Sequence, residues 1–68
     1  MQKGFIVRVM DKGYGFIKAE GMEKDLFFHS NELQNVSFDE LKGDGTEEVE
    51  FEVADGEKGK QAVKVTRI

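Results

Sequence analysis

The chain has 68 residues, a net charge of −4, one histidine and neither cysteine nor proline. So short a chain is expected to be a single domain over residues 1–68, burying only ~60% of its unfolded surface around one thin core. It has no cysteine for a disulfide framework, a thiolate zinc site or a thiol nucleophile, too few histidines for a histidine-rich metal cluster, and no run near the ~20 apolar residues of a membrane span.

In chain order, "KGFIVRVM" (3–10) is rich in branched residues and predicts a strand. The opening "MQKGFIVRVMDKG" holds an apolar patch that Arg8 interrupts, and no small-residue cleavage site follows, so it does not read as a signal peptide. A soluble, cytoplasmic protein is the expectation. "YGFIKA" (14–19) alternates and predicts a second strand, "EGMEK" (20–24) a turn, and "DLFFH" (25–29) a third strand. "SNEL" (30–33) predicts one helical turn capped by Ser30. "QNVSFDELKGDGT" (34–46) reads as a polar loop carrying one exposed ring, Phe38. "EEVEFEVA" (47–54) alternates Val49, Phe51 and Val53 with Glu48, Glu50 and Glu52. "DGEKG" (55–59) fits a hairpin turn and "KQAVKVTRI" (60–68) a last strand. Five short strands, with a longer connection after the third, predict an all-β, closed or nearly closed barrel. A flat sheet of this size would leave two edges unprotected.

Charge is distributed unevenly. The first strands carry Lys3, Arg8, Lys12 and Lys18 against Asp11, the middle is acidic, and the last strand is basic again. An acidic protein can therefore present a basic face.

Strand parity then sorts the rings. Side chains alternate across a strand, so Gly15, Ile17 and Ala19 share one face and Tyr14, Phe16 and Lys18 the other. In the third strand Leu26 and Phe28 share a face, with Phe27 and His29 opposite; burying an unpaired His29 would be costly, so the first pair is assigned to the core. An ordinary hairpin places Phe16 near Phe27 and Tyr14 near His29, a platform of rings edged by Lys12 and Lys18. Exposed rings beside cations suit unpaired bases and their phosphates. The same pattern also fits a protein-binding patch, or an apolar cluster covered by the 34–46 loop.

The stretches "KGYGFI" (12–17) and "DLFFHS" (25–30) resemble the two nucleic-acid-binding motifs of cold-shock domains, K-G-(F/Y)-G-F-I and (V/L)-F-(V/F)-H followed by an aromatic. The likeness extends to Phe38, to the strand from Gly45 to Phe51, and to a closing G-x-Q-A-V-x-V at 59–65. The resemblance implies a five-stranded antiparallel barrel of the OB type that binds single-stranded RNA or DNA, in the manner of an RNA chaperone. By motif position it implies Lys12, Tyr14, Phe16, Phe27, His29, Phe38, Lys58 and Gln61 as binding residues. The chain departs from the pattern at Arg8, where a stacking Trp is usual, in "VRVMDK", one residue shorter than usual. Ser30 stands for the aromatic after the motif histidine, Lys60 for a proline, and "KGDGTEEV" is about two residues longer. Arg8 can stack through its guanidinium plane, and Arg8 and Lys60 add cations to the site. Weaker binding and less base preference than in a typical member are expected.

No enzyme is expected: Ser30 and His29, as neighbours on a strand, point to opposite faces, and the Glu48, Glu50, Glu52 stripe reads as a solvated face. Neither a cofactor, a metal, a membrane nor a small-molecule substrate is implied, and a monomer is expected. The alternative is a protein-interaction module on the same barrel.

Overall fold

The computed structural model describes residues 1–56 and 59–68; the expected binder Lys58 lies outside them. The strands are β1 (Gln2–Met10), β2 (Tyr14–Ala19), β3 (Leu26–His29), β4 (Glu47–Gly56) and β5 (Gly59–Arg67), close to the predicted spans. They form a closed barrel in the order β1-β2-β3-β5-β4. Neighbours are antiparallel except β3 and β5, which meet in parallel at Phe27 and Gln61. An odd number of strands cannot alternate direction all the way round a closed ring, so one parallel seam is unavoidable. A bridge between Leu33 and Val65 extends it.

The core holds Ile6, Ile17, Phe28, Val49, Phe51, Ala62 and Val65, all fully buried, with Ala19 and Leu26 nearly so. Each large apolar side chain removed from water contributes about 1.5–3 kcal/mol. The expected parity of β2, β3 and β4 is the observed one, with Val53 half-buried. Two bulges alter the count elsewhere. In β1 the register shifts between Ile6 and Arg8, leaving Val7 as the extra residue. In β5 the shift sets Lys64 and Val65 together opposite Phe51, so Ala62 and Val65 both reach the core at a spacing of three. Lys64 takes the left-handed conformation there, with φ 51°. Its amide donates to Glu32 Oε1 at 3.2 Å and its Nζ pairs with Glu52 Oε2 at 3.4 Å.

Besides the parallel seam, where an antiparallel barrel was expected, two details differ from the sequence expectation. The turn after β3 is a 3-10 turn, Ser30–Glu32, capped by His29 and not by Ser30. The 34–46 connection is less polar in function than in composition: Val36 and Leu41 are buried, and a second 3-10 turn, Phe38–Glu40, lies between them. Phe38 is accordingly half-buried against the core, where an exposed ring was expected.

Candidate nucleic-acid interface

The outer face of β1, β2 and β3 carries the ring platform. Register pairs Arg8 with Phe16 and Phe16 with Phe27 in one row, and Met10 with Tyr14 and Tyr14 with His29 in the next. Both predicted ring pairings are thus present. Tyr14 and Phe27 lie 5.3 Å apart between centroids at a 32° tilt; Phe16 stands edge-on to both, 6.1 Å from each. Such spacings and tilts are favourable for aromatic pairs, at about 0.5–1.5 kcal/mol each. The three rings brace one another while remaining half-exposed.

Arg8 reaches this face only through the Val7 bulge. Gly4 and Ile6 point inward, so unbroken alternation would bury the Arg8 guanidinium as well. The extra residue flips the parity: Arg8 and Met10 face outward, and Val9 packs against the core. Met10, beside Tyr14, is a platform residue that sequence parity missed.

Gly15 serves the core side of the site. A Cβ there would lie 2.8 Å from the Phe28 ring and 2.5 Å from the Arg8 carbonyl, so its bareness lets Phe28 pack directly beneath the platform. Gly13, at φ 92°, closes the turn after β1 through its amide to Met10 O at 3.2 Å. Its own carbonyl accepts from Ser30 N at 2.9 Å, tying the start of β2 to the end of β3.

His29 is exposed, and Asn31 holds it: His29 Nδ1 lies 2.8 Å from Asn31 Oδ1 and 3.3 Å from Asn31 N. Asn31 was not singled out in the sequence, although an amide two residues after a turn-starting side chain is a common local partner. Gln61 joins the site through its pairing with Phe27 across the parallel seam. Lys12 is exposed in the turn between β1 and β2. Lys60 is exposed one residue before Gln61 and lies 3.8 Å from Asp55. An ion pair this exposed contributes little, so Lys60 remains available to an anion. Phe38 belongs to a separate element, the Phe38–Glu40 turn.

Charge pairing divides the molecule. Among the described residues Lys3, Arg8, Lys12 and Lys18, like Lys24 and Lys42 in the connections, make no ion pair, whereas Lys60, Lys64 and Arg67 each do. Arg67 reaches Glu40 and Glu47, both at 3.6 Å. Its backbone is clasped by the Asn35 amide, which accepts from Arg67 N at 2.8 Å and donates to Arg67 O at 3.1 Å. Glu40 accepts from both the Ser37 hydroxyl and the Ser37 amide, and these bonds, with help from Arg67, lower its pKa below the ordinary carboxylate value. Asp44 is lowered likewise by the Thr46 hydroxyl and amide. Ser37 and Glu40 form an S-x-x-E capping pair that was legible in "SFDE". Among the described residues no group of three or more His, Asp or Glu could hold a metal ion, and no helix is long and apolar enough to cross a membrane.

Fold and face together define the class: a five-stranded OB-type barrel bearing a cluster of half-exposed rings near cations that make no ion pair among the described residues. The model of the "Cold-shock" DNA-binding domain matches residues 2–68, and the chain belongs to that family. It is 45% identical over 58 residues to the major cold shock protein of Micrococcus luteus, covering 85% of this chain and 84% of that one. It is 46% identical over 57 residues to the cold shock-like protein CspD of Bacillus cereus, covering 84% and 82%. Escherichia coli cold shock-like protein CspC is also 46% identical, over 84% of this chain and 80% of its own. Among solved structures, Drosophila Unr CSD456 superposes with a TM-score of 0.74 at 28% identity, over 98% of this chain; this chain spans 26% of that one.

Proposed function

We infer that this protein binds single-stranded RNA or DNA and keeps it unpaired, acting as an RNA chaperone by binding alone, without catalysis. The observation that carries the reading is the half-exposed Tyr14, Phe16 and Phe27 cluster, set beside Arg8 and Lys12, which make no ion pair among the described residues. A base has two π-faces, and stacking one on an aromatic ring contributes about 1–3 kcal/mol. In a duplex those faces are already covered by neighbouring bases, so the platform selects single strands.

In this reading Tyr14, Phe16, Phe27 and His29 stack bases, and Phe38 offers a further ring from its own turn. Arg8 stacks or meets phosphate, Lys12, Lys58 and Lys60 meet phosphate, and Gln61 offers an amide to a base edge beside Phe27. Arg8 and Ser30, standing where the family carries rings, make the binding weaker and less selective. A monomer suffices, since the whole platform lies on one chain. The work of a single-strand chaperone places it in the cytoplasm.

Tyr14 is the only tyrosine and the chain has no tryptophan, so intrinsic fluorescence reports directly from the platform. Titration with oligo-dT or oligo-U should quench it, with a matched duplex binding much more weakly and pyrimidine-rich strands mildly favoured. Duplex binding as tight as single-strand binding would overturn the reading. Silence toward every nucleic acid would favour a protein partner.

A further inference from the structure

Beyond Arg8 and Phe16, the outer face of β1 and β2 continues to a ring that the site above does not use. Phe5 is 44% exposed and, with Met1 and Ile68 at the ends of the sequence set aside, is the one exposed large hydrophobic among the described residues. Its Cα partner on β2 is Lys18, the next outward residue after Phe16. Phe5 and Lys18 therefore form the row that follows Arg8 and Phe16, with the Val7 bulge between the rows. An open groove of about 560 Å³ lies there, with Phe5 and Met22 among its apolar walls and Lys3 and Lys18 on its rim.

We propose that this groove is an additional nucleotide subsite, in which Phe5 stacks the base that follows the one on Arg8 and Phe16. The proposal rests on the single-strand reading and extends it by one position. Continuity decides the occupant: the same strand of nucleic acid, leaving the Phe16 row along β2, meets Phe5 next. Lys3 and Lys18, without ion pairs among the described residues, can contact the backbone as it arrives. Glu20, Glu23 and Glu48 share the rim, so the groove offers no net attraction to phosphate. Its selectivity is for an uncharged flat ring, and it suits the last base of a bound strand better than a phosphorylated end.

The test is a series of oligo-dT lengths, from four to nine nucleotides, titrated against the wild type and Phe5→Thr. Threonine keeps a good strand former at this exposed position. The melting temperature should therefore hardly change. One step in the length series should bring a gain of about fivefold or more in wild-type affinity. Phe5→Thr should lose that gain while binding all shorter strands as the wild type does. A phosphate added to the strand end in the groove should reduce the same gain, and the Phe5 ring resonances should shift only with strands long enough to reach it. Equal length profiles for the two proteins would overturn the subsite, as would a loss spread evenly over all lengths. A dimer of the free protein abolished by Phe5→Thr would assign the groove to a second copy and overturn it too. Absence of binding at any length would instead defeat the single-strand reading on which the subsite rests.

Discussion

The cations of β1 and β2 and those of β5 are the same kinds of residue put to different ends. Lys3, Arg8, Lys12 and Lys18 stand beside rings with no carboxylate bound to them among the described residues, while Lys60, Lys64 and Arg67 are each joined to one. On the second side the charges fasten pieces of chain: Arg67 holds the 34–46 connection through Asn35 and Glu40 and pairs with Glu47 at the start of β4, and Lys64 occupies the bulge that lets Val65 reach the core. On the first side they make no ion pair among the described residues. A net charge of −4 is therefore no obstacle to an anionic ligand, because a local set of cations near the rings is left unengaged among the described residues.

The contrast is sharpest between two adjacent phenylalanines. Phe28→Ala should leave a cavity among fully buried neighbours and cost ~3–5 kcal/mol of stability. That is about all a domain of this size holds in reserve, so thermal or urea melts should find the variant largely unfolded. Phe27→Ala should lower affinity for oligo-dT by ~1–3 kcal/mol and leave the barrel folded. Its stability loss should be about 1 kcal/mol, from the edge and tilted contacts to Phe16 and Tyr14. A folded Phe28→Ala together with an unfolded Phe27→Ala would reverse the two faces.

Salt separates the two sets of cations more finely. With three or four phosphates contacted, log affinity should fall against log salt with a slope of roughly −2 to −3, about 0.7 per contact on a single strand. Lys12→Ala should flatten the slope by about one contact, and Lys64→Ala should leave it unchanged. Equal effects of the two substitutions would break the comparison.

The smallest effect belongs to the latch around Glu40. Its folded pKa lies below the ordinary value, so its contribution is present above the unfolded pKa and is lost as pH falls through the folded one. At neutral pH, Glu40→Gln should melt slightly below the wild type, and the gap should close in acid below the ordinary glutamate range. Affinity should change less than in Phe27→Ala. Melting curves of both proteins across that range check it.

Much of this was legible in the sequence because strand parity is a strict rule wherever a strand is regular. Alternation in "YGFIKA", "LFFH" and "EEVEFEV" assigned each ring and core residue to its observed side. Parity fails where a bulge adds a residue, as at Val7 and Lys64. Along β1 the apolar run hides the break, and only the improbability of a buried Arg8 hints at it. Val36, Leu41 and Phe38 were misjudged for a related reason: in a connection without periodicity, nothing local distinguishes a ring that seals the barrel from one that faces solvent. Asn31 and Met10 gained their places from a turn and a register shift that spacing alone does not reveal.

The claim that the β1–β3 face, and not the acidic side, meets nucleic acid is tested most directly by NMR. Oligo-dT would be titrated into isotope-labelled protein and the perturbed resonances mapped. The account predicts shifts concentrated at Arg8, Lys12, Tyr14, Phe16, Phe27, His29 and Gln61, with Glu50, Glu52 and Asp44 unmoved. Shifts centred on Glu50 and Glu52, with the three rings unaffected, would contradict it.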